Sequence, residues 1–138
     1  MEAIGGAASC IQLIETAGRT LISISKLYRR AKEAPKEIQR ISRQLDQLIT
    51  LVTLLQPYFS LPAPTRGTNG ITAVIQDCID QAEQLTQLID VYTKDESVWK
   101  RGWHNLKALS RQEQVASISN HLERHKSSLL LWVAVTNQ

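Results

Sequence analysis

His121 and His125 stand one helical turn apart, so both imidazoles could face one metal ion. A zinc site takes at least a third protein ligand, and the metalloprotease arrangement places a glutamate directly after the first histidine. Leu122 holds that place and Glu123 falls on another face. The pair is therefore expected to be a rim histidine and a partly buried one, with His104 a surface residue beside Trp103. Asp77, Asp80 and Glu83 recur every three residues. Acid–base work would need them across a cleft with one carboxyl desolvated, and a solvated helix face opposite a basic neighbour explains them more simply. The Gly67-Thr68-Asn69-Gly70 stretch lacks the lysine of a phosphate-binding loop, and no serine sits in a nucleophile elbow. Cys10 and Cys78 lie far apart among apolar neighbours, which suits small core residues in a reducing compartment. An enzyme, a metal and a cofactor are not expected.

Two other groups bear on surfaces. Trp99 and Trp103 are four residues apart and flanked by Lys100, Arg101 and Lys107. That composition belongs to membrane interfaces, and equally to a short helix anchored on a bundle with cations over its rings. Lys26, Arg29, Arg30 and Lys32 crowd seven positions. They suit the negative pole of a helix end or an anionic lipid surface, where each base is worth about 1 kcal/mol.

These residues must be positioned by helices. The chain has 138 residues, 43% hydrophobic and only 5% aromatic, with six glycines and four prolines. That disfavours sandwiches and barrels, which need many turns. Net charge is +3, too small to indicate nucleic acid. It is unevenly spread: residues 71–96 hold six acids against one base, while residues 97–138 hold six bases against two acids. Charge matching between helices and a basic face for anionic lipid or an acidic partner both account for this. The longest uncharged run, 47–65, is interrupted by Pro57, Pro62 and Pro64, so it is not a straight membrane span. No secretory signal or myristoylation glycine follows Met1.

Apolar residues step by three and four along four segments. The first helix is predicted from about 3 to 31, with Ile4, Ala7, Ile11, Ile14, Gly18, Leu21 and Tyr28 inward and Ser9, Gln12, Thr16, Arg19, Ser23 and Lys26 outward. Pro35 permits a new start. The second helix carries Ile38, Ile41, Leu45, Leu48, Val52, Leu55 and Phe59, widened by Ile49, Leu51 and Leu54, and Pro57 ends or kinks it. The third carries Ile71, Ile75, Cys78, Ala82, Leu85, Ile89 and Tyr92. A short helix with Val98, Trp99, Trp103, Leu106 and Leu109 is expected before the last, which opens near Ser110 with Glu113 in a capping box. The last helix turns Val115, Ile118, Leu122, His125, Leu129 and Trp132 inward. The sum is an all-α antiparallel four-helix bundle with an additional short helix, one domain over 1–138.

The first helix begins with small residues, Ala-Ile-Gly-Gly-Ala-Ala-Ser-Cys. Gly5 and Gly6 each cost about 1 kcal/mol against alanine in a helix interior. Gly5/Ser9 and Gly6/Cys10 are pairs that let helices approach closely, in lipid especially. Either a tight fit inside the bundle or a membrane-active helix follows. The uncharged stretch 3–14 gives only about 18 Å of helix against about 30 Å of hydrocarbon. Insertion would thus have to recruit residues to about Ile24, including Glu15 and Arg19, as an assembly with Gly5, Gly6 and Ser9 at its contacts. Ile4, Ile11 and Ile14 are expected to be buried at rest.

With the small-residue first helix, the run Leu-Tyr-Arg-Arg-Ala-Lys-Glu-Ala-Pro-Lys-Glu-Ile-Gln-Arg-Ile (27–41), the leucine run 45–55, Trp99-Lys-Arg and the ending His-Lys-Ser-Ser-Leu (125–129) with Leu130 and Leu131, the chain resembles the fungal HeLo-like domains over essentially its whole length. Such domains stand at the N-terminus of NLR-type STAND receptors or in smaller effectors with an amyloid signalling motif, and are similar to the bundle of the mixed lineage kinase domain-like pseudokinase. The resemblance implies cell-death execution in fungal nonself recognition, by oligomerisation and permeabilisation through the first helix. It also implies a cytoplasmic resting state, a plasma-membrane active one, and a nucleotide-binding domain or amyloid-signalling partner. On that basis the membrane-active residues are Ile4, Gly5, Gly6, Ala7, Ser9, Ile11, Ile14 and Glu15. Lys26, Arg29, Arg30 and Lys32 contact anionic lipid, and Trp99, Lys100, Arg101 and Trp103 are interfacial. No nucleotide-binding domain or amyloid motif occurs up to Gln138, so an excised receptor domain is one expectation. A soluble oligomerisation adaptor whose first helix never leaves the bundle is the alternative.

Overall fold

The computed structural model describes residues 5–28, 36–59, 68–93 and 113–136, all of them helical. The helices are α1 (Gly5–Tyr28), α2 (Lys36–Phe59), α3 (Thr68–Thr93) and α4 (Glu113–Thr136). The additional short helix expected around Trp99 and Trp103, and the Ser110 cap, lie outside the described residues.

α2 begins at Lys36, next to the proline that permits a start, and ends two residues beyond Pro57. That proline withholds the N–H that would close on the carbonyl four residues earlier, so the helix stops within its turn. The α2 stripe is buried as its spacing predicts: Ile38, Ile41, Leu45, Leu48, Val52 and Leu55 are all inaccessible, with Phe59 partly covered. Ile75, Cys78, Ala82 and Leu85 of α3 and Val115, Ile118, Leu122 and Leu129 of α4 join them in one core.

α1 packs on α2 and α3, and α4 packs on α2 and α3, so α2 and α3 lie diagonally across the bundle, as do α1 and α4. Cross-helix pairs fix the directions. Gln44 reaches Ser119 and Glu123, Gln47 reaches Lys126, and Phe59 stacks on Trp132 with ring centroids 6.1 Å apart, so α2 and α4 run parallel. Asp77 meets His125 and Gln84 meets Gln114, so α3 and α4 run antiparallel. The chain from Tyr28 to Lys36 spans at most about 30 Å, shorter than the roughly 36 Å of either helix. α1 is therefore antiparallel to α2 and parallel to α3. Helices consecutive in sequence alternate in direction, as expected of the bundle, while two of the four packed pairs are parallel.

The face that α1 buries is rotated from the one expected. Cys10, Leu13, Ala17, Thr20 and Ile24 are inaccessible and Thr16 nearly so, while Ile11 is 46% exposed and Ile14 only partly covered. Ser9 and Thr16, assigned outward by polarity, point inward. The cause is that threonine is tolerated in a helical interior once its hydroxyl is satisfied. Thr20 donates to the Thr16 carbonyl (3.0 Å) and accepts from the Thr86 hydroxyl (2.8 Å). Leu54, expected to widen the α2 stripe, stands in solvent instead.

Candidate functional site

α1 is the element on which the sequence concentrates its membrane signals, and its seams show what holds it. Large aliphatic side chains cross from α1 at Leu13 and Ile24 alone among its fully buried residues; the rest of that face is Ser9, Cys10, Thr16, Ala17 and Thr20. Between them a polar latch joins α1 to α3. The Thr20 hydroxyl, besides its own-helix carbonyl, is 3.2 Å from the Ala82 carbonyl and 2.8 Å from the Thr86 hydroxyl. Arg19 donates to the Thr16 hydroxyl at 3.4 Å. Outside this latch an open groove of about 310 Å³ is lined by Thr16, Arg19, Glu83, Thr86 and Gln87. These threonines escaped the sequence reading because hydropathy scores them as surface residues. The signal available was their register: 13, 16, 17, 20 and 24 form an unbroken helical stripe.

A second polar seam joins α2 to α4. The Gln44 amide donates to the Ser119 carbonyl (3.2 Å) and to Glu123 Oε1 (3.1 Å), and accepts from the Ser119 hydroxyl (3.3 Å). Lys126 pairs with Glu123 (3.1 Å) and donates to Gln47 (3.0 Å). The Gln44 and Lys126 hydrogen bonds hold the Glu123 carboxyl below the usual range. Every buried side-chain nitrogen and oxygen among the described residues has a partner.

The histidine and aspartate candidates meet across the α3–α4 seam. His125 Nε2 lies 2.5 Å from Asp77 Oδ2, and His121 Nδ1 lies 2.7 Å from the Ser117 carbonyl, which is the geometry of a donated N–H. Each ring thus spends a nitrogen on a protein oxygen, and the rings tilt 50° apart with centroids at 6.3 Å. Among the described residues no three His, Cys, Asp or Glu side chains converge as a metal site would require. Burial alone would raise the Asp77 carboxyl, but the hydrogen bond and charge of His125, with help from Gln81, outweigh it and leave it lowered. Burial pushes the Cys10 thiol up to about 11 and the Cys78 thiol to about 12, so both stay protonated and unreactive at neutral pH.

The lowered carboxyls of Asp77 and Glu123 set an acid limit. Their contribution to stability is complete above the unfolded values, roughly 4, and is lost as pH falls through the lower folded values. The urea midpoint of Asp77→Asn should lie below that of the parent at pH 7, and the gap should close below about pH 4. Asp77 is more than a third exposed, so solvent screens the effect.

The remaining predicted site residues scatter. Ala7 and Ile14 are half-buried, Ser9 is buried, and Ile11, Glu15 and Lys26 are exposed. Gly5 and Gly6 open α1. Ile4, Arg29, Arg30, Lys32, Trp99, Lys100, Arg101 and Trp103 lie outside the described residues. Lys26 stands 21 residues along α1 from Gly5, about 32 Å away, so the first turn and the basic end occupy opposite poles of the bundle. Among the described residues no helix is long and apolar enough to cross a membrane.

Comparison with known proteins adds one finding. A family model described as SesA, the N-terminal domain on NACHT NTPases and P-loop NTPases, matches residues 7–129. Neither a curated protein nor a solved structure matches the chain.

Proposed function

The chain belongs to the SesA family of N-terminal domains on NACHT and P-loop NTPases, and on that premise we propose that it is the cell-death effector of such a receptor, acting by self-assembly and membrane permeabilisation through α1. The observation that carries the reading is the seat of α1. Its fully buried face is Ser, Cys, Ala and Thr with Leu13 and Ile24, edged by the half-buried Ile14 and Leu21, and a hydroxyl latch joins it to α3. A helix so held leaves its bundle at lower cost than α2, whose inward face is Ile, Leu and Val apart from Gln44. The resemblance to HeLo-like domains supports the same reading. The domain acts without catalysis or cofactor, rests in the cytoplasm, and moves to the plasma membrane when a nucleotide-binding domain of the same chain, or an amyloid-signalling partner, releases it.

In this reading α1 enters the bilayer N-terminus first. The roughly 32 Å from Gly5 to Lys26 matches about 30 Å of hydrocarbon, so Lys26, with Arg29, Arg30 and Lys32 following it in sequence, would meet the anionic headgroups left behind. Glu15 and Arg19, both exposed at rest, would face the lumen of an assembly. Dye release from anionic liposomes is the test. Release by the parent and its loss on neutralising Lys26, Arg29, Arg30 and Lys32 together is the expected result; release by neither parent nor variant rejects the reading. The soluble adaptor is the second reading, favoured by the lack of a span-length apolar helix among the described residues. It predicts an intact α1 and no release.

A further inference from the structure

One end of the bundle carries no charge among its described residues. Residues 5–14, 47–59, 68–76 and 127–136 contain no Asp, Glu, Lys or Arg. The alternating directions of the helices bring these four stretches to the same pole, about 14 Å deep on α3 and about 20 Å on α2. Large apolar side chains stand exposed there: Ile11 on α1, Leu54 (56% exposed) on α2, and Leu130, Leu131 (66%) and Val135 on α4. α2 lies between α1 and α4 in the ring of packed helices, so Ile11, Leu54 and Leu130 border one sector centred on the second half of α2, with Leu131 at its outer edge and Val135 turned toward α3. Along its α2–α4 side runs an open groove of about 270 Å³ lined by Gln47, Thr50, Leu51, Lys126 and Leu130. Residues 129–135 are apolar without a break, so the last turns of α4 present apolar surface on every side. A helix of that kind is normally covered all round.

We infer that this sector docks a second copy of the chain. The inference rests on the self-assembly named above and gives it a surface. In a two-fold contact each surface meets itself, so a patch of one charge sign would meet its own sign. The uncharged sector avoids that conflict in a chain of net charge +3. Lipid fits it less well, because Lys126, the cation at its border, is already engaged by Glu123 and Gln47. With helices 8–10 Å apart, three of them make a face about 20 Å wide and, by projection, roughly 400 Å². That is well below the ~800 Å² per partner of a stable complex, so pairing is weak and governed by concentration.

Sedimentation velocity of the parent from about 1 to about 300 µM, the range of weak affinities, should show a reversible monomer–dimer equilibrium. Leu54→Glu with Leu131→Glu should raise its Kd roughly tenfold or more, since like charges then face one another. Thr50→Arg, at an exposed polar position of the groove beside Leu130, should act in the same direction. Ile22→Glu, at a site 59% exposed toward the opposite pole, should leave Kd unchanged. Circular dichroism checks that each variant is folded. A parent monomeric throughout, a dimer indifferent to the Leu54 and Leu131 changes, or one weakened equally by Ile22→Glu overturns the inference. So does a monomeric parent that floats with phosphatidylcholine vesicles through Leu54 and Leu131, because the sector would then face lipid. Dimerisation without dye release would sink the permeabilisation reading and leave the docking surface standing.

Discussion

Leu48→Ala is expected to destabilise the bundle by about 3 kcal/mol, within the range for emptying a leucine site in a core. Leu54→Ala, six residues on in the same helix, should change stability by less than about 0.5 kcal/mol. Leu48 is inaccessible at the centre of α2, where α1 packs on one side and α4 on the other. Its removal forfeits both the transfer of its methyl groups from water and the contacts lining the space it leaves. Leu54 is 56% exposed and has little burial to lose. For a domain of this size the Leu48 change corresponds to a Tm lower by about 10 °C. Urea unfolding at constant m-value checks the pair. A Leu48→Ala cost below about 1 kcal/mol, or an equal cost at Leu54, would contradict the packing described for α2.

α2 was legible because its spacing and its side chains agree. Large aliphatics recur at three and four, and those that fall on the stripe are buried. α4 was legible to the level of His125, which sits half-buried against Asp77, and of Trp132, which stacks on Phe59. α1 was legible as a helix but not in its rotation. Its isoleucines fall on several faces, and a hydropathy count followed Ile4, Ile11 and Ile14 rather than the stripe through Leu13, Ala17 and Ile24. The tie was broken by partners out of sight of any local pattern: the Ala82 carbonyl and Thr86 hydroxyl, more than sixty residues away, lie 3.2 and 2.8 Å from the Thr20 hydroxyl. The spatial order of the helices was equally hidden. Alternating direction follows from short connections, but that α2 neighbours α4 rather than α3 depends on long-range pairs such as Gln44 with Ser119. The uncharged pole follows from the alternating directions, but which of its exposed residues are neighbours depends on that order.

A reversible covalent tie between α1 and α3 should switch dye release off. Deleting the first helical turns is a poor test of α1, because residues 2–18 include Cys10, Leu13, Thr16 and Ala17 of the buried face, and their loss would unfold the bundle whatever α1 does. The threonine latch offers a cleaner one. The Thr20 and Thr86 hydroxyls are 2.8 Å apart, which brings their β-carbons near the separation a disulfide spans. Thr20→Cys with Thr86→Cys should therefore oxidise to a bridge closing the loop from 20 to 86. In the chain-entropy account such a loop is worth about 4 kcal/mol, and the bridge bars α1 from leaving at all. Cys10 and Cys78 do not compete for it, since burial holds their thiols protonated at neutral pH. The oxidised variant should be more stable than the parent and release dye from anionic liposomes only at background. The reduced variant, which lacks the hydroxyl latch, should release it at or above the parental rate, and adding reductant to the oxidised form should restore release in the same sample. An oxidised variant that permeabilised as well as the parent would mean that α1 does not have to detach, and the executing surface would have to be sought on the intact bundle.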